Sequence, residues 1–297
     1  MPATRPRAVF VTRESDYELL LGRHATREQA RFFLESRGQS LDALERQDRQ
    51  LRAALHAARA AVPDEWRQAI VRRADLDRFL FAADDAIVVV GQDGLVANVA
   101  KYLAGQPVLG INPSPDLYDG VLLRVPLEQL SRLLPASVHG DAPAERRTMV
   151  EARMDSGERL IALNEIFVGH RSHQSARYRI AVADKAENQS SSGLIVASGT
   201  GATGWARSIM EATHARIGLG IEEKAVAYLV REPFPSIVTG TAIRAGKLAG
   251  GAVAVTSRMN DGGIVFADGI EPDFLDFAWG RTIEIKAAAQ ALNLVTG

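Results

Sequence analysis

Ala86-Ile87-Val88-Val89-Val90-Gly91-Gln92-Asp93-Gly94-Leu95-Val96-Ala97-Asn98-Val99-Ala100 is the stretch on which the fold turns. Residues 86–90 read as a buried strand, 91–94 as a glycine turn, and 95–103 as a helix. In that order they make an anion cradle. The first N–H groups of a helix have no partner within it, and the helix dipole favours negative charge there. Gly91 and Gly94 let a phosphate oxygen approach the main chain where a Cβ would stand. Asp93 is out of place in a pure phosphate binder, because it repels the ligand. It suits a site that also handles Mg²⁺ or takes a proton from a nucleophilic hydroxyl. It equally suits a helix cap, and the motif by itself leaves both readings open.

Outward from this turn, the first hundred residues alternate strand and helix signals. Ala8-Val9-Phe10-Val11 reads as a first strand, 68–72 as a second, and 108–111 as a fourth after that at 87–90. Thr26-Arg27-Glu28-Gln29 has the form of a capping box and opens a helix toward Ser36. Leu44, Leu51, Leu55 and Ala58 recur at helical spacing and give a long helix from Leu41 to about Ala60, ending before Pro63. Strands separated by helices indicate a parallel sheet, with ligands beyond the carboxyl ends of its strands. After Arg124 the character changes. Pro113, Pro115, Pro126 and Pro135 crowd a junction, and from Thr148 on period-two alternation dominates. Residues 149–154 turn at Asp155-Ser156-Gly157 and return at 159–163 as a hairpin; 177–182, 252–256 and 282–285 alternate in the same way. The expected organisation is an α/β domain over 1–124 with a parallel sheet and a β-rich domain over 125–285.

With 297 residues there is ample material for two domains, and a net charge of −1 with both signs mixed argues against a nucleic-acid surface. Absence of cysteine excludes disulfides, thiolate chemistry and Cys-based zinc sites. The six histidines show no HExxH or similar ligand spacing, so no built-in metal site is expected. No stretch approaches the roughly 20 apolar residues that span a bilayer, and Met1-Pro2-Ala3-Thr4-Arg5-Pro6-Arg7 lacks a signal-peptide apolar region. A soluble cytoplasmic protein is the expectation.

Two further segments carry chemistry-shaped residues. Asn164-Glu165 lies between apolar stretches, where an amide and a carboxylate could hold ribose hydroxyls and a base edge. It also reads as a solvated strand end. Ser198-Gly199-Thr200-Gly201-Ala202-Thr203-Gly204-Trp205 takes a strand through a Gly/Thr-rich loop into a helix near Trp205. That is a second candidate cradle with hydroxyls and an aromatic face, or a common cap.

Taken together, G-Q-D-G at 91–94, N-E at 164–165 and S-G-T-G-A-T-G-W at 198–205 resemble the NAD kinase family, whose members carry G-G-D-G, N-E and a T-P-T-G-S-T-A-Y-like loop in this order. The resemblance is strongest to the mitochondrial-type branch and its bacterial relatives, through Ala162-Leu163-Asn164-Glu165, Ser191-Ser192-Gly193-Leu194, Arg231-Glu232-Pro233, Asp261-Gly262-Gly263 and Phe266-Ala267-Asp268-Gly269. It covers most of the chain. It implies phosphorylation of the 2′-hydroxyl on the adenosine ribose of NAD by ATP with Mg²⁺, at a site between the two domains. The chain end, about 286–297, would return to the first domain.

On this resemblance Asp93 is the catalytic residue, and Gly91, Gln92 and Gly94 are the ATP phosphate loop. Asn112, Asn164, Glu165, Ser192, Thr200, Thr203, Gly204, Trp205 and Ser208 contact NAD. The β-rich domain implies a homodimer or larger homo-oligomer. Three positions depart from the family pattern. Gln92 stands where the second glycine of G-G-D-G should be, Leu95 where most members have threonine, and Ser192 where many bacterial members have aspartate. Gln92 places a side chain in the expected path of the ATP phosphates. No GxxxxGK[ST] occurs, which excludes a P-loop kinase. A lipid or sugar kinase built on the same turn and a catalytically silent nucleotide-binding protein are the alternatives.

Overall fold

Val9, Phe10 and Val11 are fully buried in β1 (Arg7–Thr12), the strand around which the first half of the chain assembles. The computed structural model describes residues 5–297, so part of the N-terminal stretch read above lies outside the described residues. Three helices follow β1: α1 (Asp16–Arg23), α2 (Arg27–Glu35) and α3 (Leu41–Ala60). Next come β2 (Arg67–Arg72), β3 (Asp85–Val90), α4 (Asp93–Ala100) and β4 (Pro107–Ile111). β2 and β3 lie parallel on opposite sides of β1, and β4 lies parallel to β3, giving the order β2-β1-β3-β4. All six residues of β3 are buried, as a strand covered by helices on both faces requires. The parallel α/β sheet expected from sequence is present.

Two helices depart from expectation. Ser15 opens α1 with a reciprocal capping box to Glu18, a signal of the same kind as that at Thr26. α5 (Leu130–His139) occupies the proline-rich junction and contains Pro135 within it. A proline inside a helix costs about 3 kcal/mol. Leu130, Leu133 and Leu134, all fully buried in the first core, outweigh that cost. The junction is therefore part of the first unit. The chain divides at Glu145, not near Arg124, and the segment that rejoins the first unit is Asn293–Gly297.

The second unit, Arg146–Leu292, is built on antiparallel strands. β5 (Ala144–Met154) and β6 (Arg159–Ala162) form the expected hairpin, with Arg153 opposite Arg159. β7 (Glu165–His170), β8 (Ala176–Val182), β9 (Lys185–Ser191) and β10 (Leu194–Ala197) precede the helix α6 (Trp205–Thr213). Then follow β11 (Val226–Val230), β12 (Ala245–Leu248), β13 (Val253–Ser257), β14 (Gly263–Ala267), β15 (Phe274–Asp276) and β16 (Thr282–Val295). One sheet runs β12-β11-β10-β7-β14-β15, and β16-β13-β8-β9 forms a second antiparallel run. Their inward residues, among them Val168, Val196, Tyr178, Ile180, Val255 and Phe277, share one core. β16 far outruns the expected strand at 282–285. Its last residues lie parallel to β4 within the first unit, Asn293 opposite Pro107 and Leu294 opposite Val108. No helix among the described residues is long and apolar enough to cross a membrane.

Candidate active site

In the first unit, fully buried Val90 leads into Gly91, whose N–H donates to the Ile111 carbonyl at 3.3 Å and keeps the turn attached beside β4. Gln92 is the cap residue of α4, extended at φ −117° and ψ 162°, and its side chain makes no cap bond. Asp93 is thus the first residue inside the helix, which corrects the capping reading. Its carboxylate accepts backbone N–H bonds from elsewhere: Leu122 at 2.8 Å on one oxygen and Val121 at 3.0 Å on the other. A Cβ on Gly94 would meet no atom within 4 Å, so the turn is open on that side.

Asn112 shapes the segment that supplies those amides. Its side-chain oxygen accepts the Ser114 N–H at 2.9 Å, and its Nδ2 donates to the Tyr118 carbonyl at 2.7 Å. Expected as a dinucleotide contact, Asn112 uses both functions of its amide within the loop 112–118.

In the second unit the N-E pair and the Gly/Thr loop meet. Glu165 begins β7 and pairs with Ala197 at the end of β10. Ser198 follows at once. Its N–H donates to the Asn164 carbonyl at 2.8 Å, and its hydroxyl donates to the Leu163 carbonyl while accepting the Gly201 N–H at 3.1 Å. A Cβ on Gly201 would stand 2.1 Å from the Asn164 carbonyl oxygen, so only glycine fits there. Asp268, just beyond β14, clamps the same turn. It accepts N–H bonds from Leu163 at 2.9 Å, Asn164 at 2.7 Å and Glu165 at 3.3 Å. Its own N–H donates to the Glu165 carbonyl at 3.0 Å.

Thr200 is buried, and its hydroxyl accepts from Arg147 Nη1 at 3.3 Å. Its carbonyl accepts the Thr203 hydroxyl at 2.8 Å. Gly204 caps α6, and the Trp205 ring lies 5.9 Å from that of Phe167, near parallel at 18°. The Arg231 guanidinium sits 5.3 Å from the Trp205 ring centre. Ser192 and Ser208 are exposed. The Ser192 N–H donates to the Arg231 carbonyl, and the Ser208 hydroxyl bonds back to the Trp205 carbonyl. The turn at Asn164 and Glu165 therefore packs directly on the 198–201 loop that leads into Trp205, with Ser192 beside the Phe167–Trp205 stack through its neighbour Gly193, which abuts Phe167. Sequence reading supplied no role for Asp268, Ser198, Arg147 or Phe167. The Asp268-Gly269 turn after an apolar strand was the available signal. Among the described residues, no group of three or more His, Asp or Glu side chains is placed to hold a metal ion.

Glu165 is 7 % exposed, and burial, with the nearby charge of Asp268 adding to it, pushes its carboxyl up to about 7. Between its ordinary value of 4.5 and about 7 the folded protein holds this proton and the unfolded chain does not. Stability from this group is therefore full below the lower value and declines as pH rises through the window, by an amount on the order of 3 kcal/mol. Glu165→Gln removes the titration. Thermal melts from pH 5 to pH 8 should show the wild type losing stability relative to the variant; parallel curves would contradict the assignment.

No family model matches the chain. A NAD kinase of Ralstonia nicotianae is 33% identical over 133 residues, which cover 42% of this chain and 43% of that protein. A NAD kinase of Heliobacterium modesticaldum is 37% identical over 132 residues, 42% of this chain and 46% of that one. These matches span less than half of either relative. A NAD kinase of Chlorobaculum tepidum is 26% identical over 214 residues, 71% of each chain. Among solved structures, yeast NADH kinase complexed with NADH superposes with a TM-score of 0.59 at 14% identity, covering 99% of this chain and 84% of that one. A NAD kinase from Archaeoglobus fulgidus in complex with ATP gives 0.59 at 19% identity, covering 97% and 93%. The α/β unit followed by the β-rich unit is the fold these structures share with it. The chain is thus similar in sequence to NAD kinases over part of its length and shares the fold of these solved kinases.

Proposed function

We propose that this protein is a NAD kinase, transferring the γ-phosphoryl group of MgATP to the 2′-hydroxyl on the adenosine ribose of NAD. The observation that carries this reading is Asp93, held by two backbone amides at the head of a helix that follows a glycine turn at a parallel strand's carboxyl end. Relatives named as NAD kinases, and like-folded kinases bound to NADH or to ATP, support it. Mg²⁺ enters with the nucleotide as part of that substrate. Asp93 accepts the hydroxyl proton as the new O–P bond forms, and the bond from the γ-phosphorus to the β–γ bridging oxygen breaks with its electron pair leaving on ADP. The two amides fix the orientation of Asp93, and in a loose phosphoryl-transfer transition state such positioning supplies much of the acceleration. Gly91, Gln92 and Gly94 border the phosphates. Asn164 and Glu165 hold the ribose hydroxyls, and Thr200, Thr203, Gly204, Trp205, Ser208 and Ser192 enclose the rest of the dinucleotide.

Gln92 favours a second reading, a silent nucleotide binder, because its side chain lines the hollow beside Gly91. Calorimetry with NAD and ATP alongside a turnover assay separates the two: a kinase binds and turns over, a silent binder only binds.

The same reading makes the protein a cytoplasmic homodimer or larger homo-oligomer. The second unit ends its sheets at β9, β12 and β15, edges that oligomers commonly cover. Light scattering at micromolar concentration should give a multiple of the 32.1 kDa chain mass; a monomer would contradict it.

A further inference from the structure

We propose that Arg13 anchors the phosphate chain of the phosphoryl donor. This deepens the kinase reading by assigning the donor a cationic partner. In the order β2-β1-β3-β4 the chain winds from β1 to one side and then crosses to the other, so the winding reverses between β1 and β3. At such a switch point the loops after the two strands part, and a crevice opens beyond their carboxyl ends. Arg13 follows directly on β1, and Gly91 directly on β3. The structure has a hollow there, lined by Arg13, Asp16, Gly91, Gln92, Ser114 and Tyr118 among others.

Arg13 is the basic residue of this hollow. It also lines an adjoining hollow at the carboxyl end of β2, where Arg72 and Arg73 stand with the acidic Glu14 and Asp75 and Arg72 is paired to Glu14. Its side chain is only 27% exposed, and its ion pair is a single 3.5 Å contact to Asp16, itself 52% exposed. An exposed pair at that distance contributes little, so a polyphosphate can displace Asp16 at small cost. The guanidinium fork matches phosphate oxygens in pairs. Asp16 is the opposing element: its carboxylate repels the same phosphates. Gln92, on the same wall, offers two N–H donors where a glycine would offer none beyond its backbone.

The full-length protein is titrated with MgATP and, separately, with inorganic tripolyphosphate, which carries the phosphate chain without base or sugar. Arg13→Met is expected to weaken both by about 10- to 100-fold. KM for ATP should rise in proportion while KM for NAD stays unchanged. Arg13→Lys should recover part of the loss, keeping charge without the fork. Asp16→Asn should tighten tripolyphosphate binding, an effect opposite in sign that no loss of folding could produce. Unchanged tripolyphosphate affinity in Arg13→Met, or no gain in Asp16→Asn, overturns the proposal. Should Arg13→Met fail to fold, Arg13→Lys and Asp16→Asn decide. Wild type that makes NADP with Arg13→Met unaltered rejects the anchor and keeps the kinase. Wild type that binds tripolyphosphate through Arg13 yet phosphorylates nothing keeps the anchor and rejects the kinase.

Discussion

Asp93→Asn is expected to lower turnover of NAD with MgATP by about 10²- to 10⁴-fold, the usual contribution of a positioned general base. The substitution has a second, separable consequence. Both carboxylate oxygens accept backbone N–H bonds, from Leu122 and Val121. An amide has one oxygen, so its NH₂ faces one of these donors and leaves it unpaired, at a cost of about 1–3 kcal/mol. A lower melting temperature is therefore expected along with the lost rate. The two effects part when turnover is measured per folded molecule, well below the variant's melting range. A purely structural Asp93 gives normal turnover there; a catalytic one gives the full loss. Affinity for NAD should persist, since the residues proposed to hold it belong to the second unit.

Asp268→Ala should produce the largest loss of NAD affinity, about tenfold or more, without touching the reacting atoms. Three backbone N–H groups, from Leu163, Asn164 and Glu165, converge on this one carboxylate. Alanine leaves them without it, and the expected destabilisation is on the order of 2–5 kcal/mol. Asp268 also sits at φ +50°, a conformation aspartate and asparagine tolerate better than alanine. Asp268→Asn should therefore recover part of both stability and affinity. Measured by calorimetry on NAD, normal affinity in Asp268→Ala would show that the N-E turn needs no clamp.

The strand-turn-helix at 86–100 was legible because its signals agree: an unbroken apolar run, glycines at the break, and a helical pattern after it. The hairpin at 149–163 was legible for the same reason, through strict alternation around Asp155-Ser156-Gly157. Pro135 misled because propensity is local, whereas the burial of Leu130, Leu133 and Leu134 that overrides it is tertiary. The division at Glu145 follows from that burial and carries no separate mark in the sequence. Site residues presented the same contrast. Asn164 and Glu165 stood out as polar residues between apolar strands. Asp268, about a hundred residues later, acts on them through their backbone amides, and a backbone partner leaves no imprint on residue type at positions 163–165. The Asn112 side chain stood out as chemically suited to a ligand, whereas its bonds to the Ser114 N–H and the Tyr118 carbonyl within its own loop carry no mark in the sequence.

The most direct test is formation of NADP from NAD and MgATP by the purified wild-type protein, followed with an NADP-specific dehydrogenase. The account predicts one NADP and one ADP per turnover, lost in Asp93→Asn. Binding of both nucleotides with no NADP formed would contradict it.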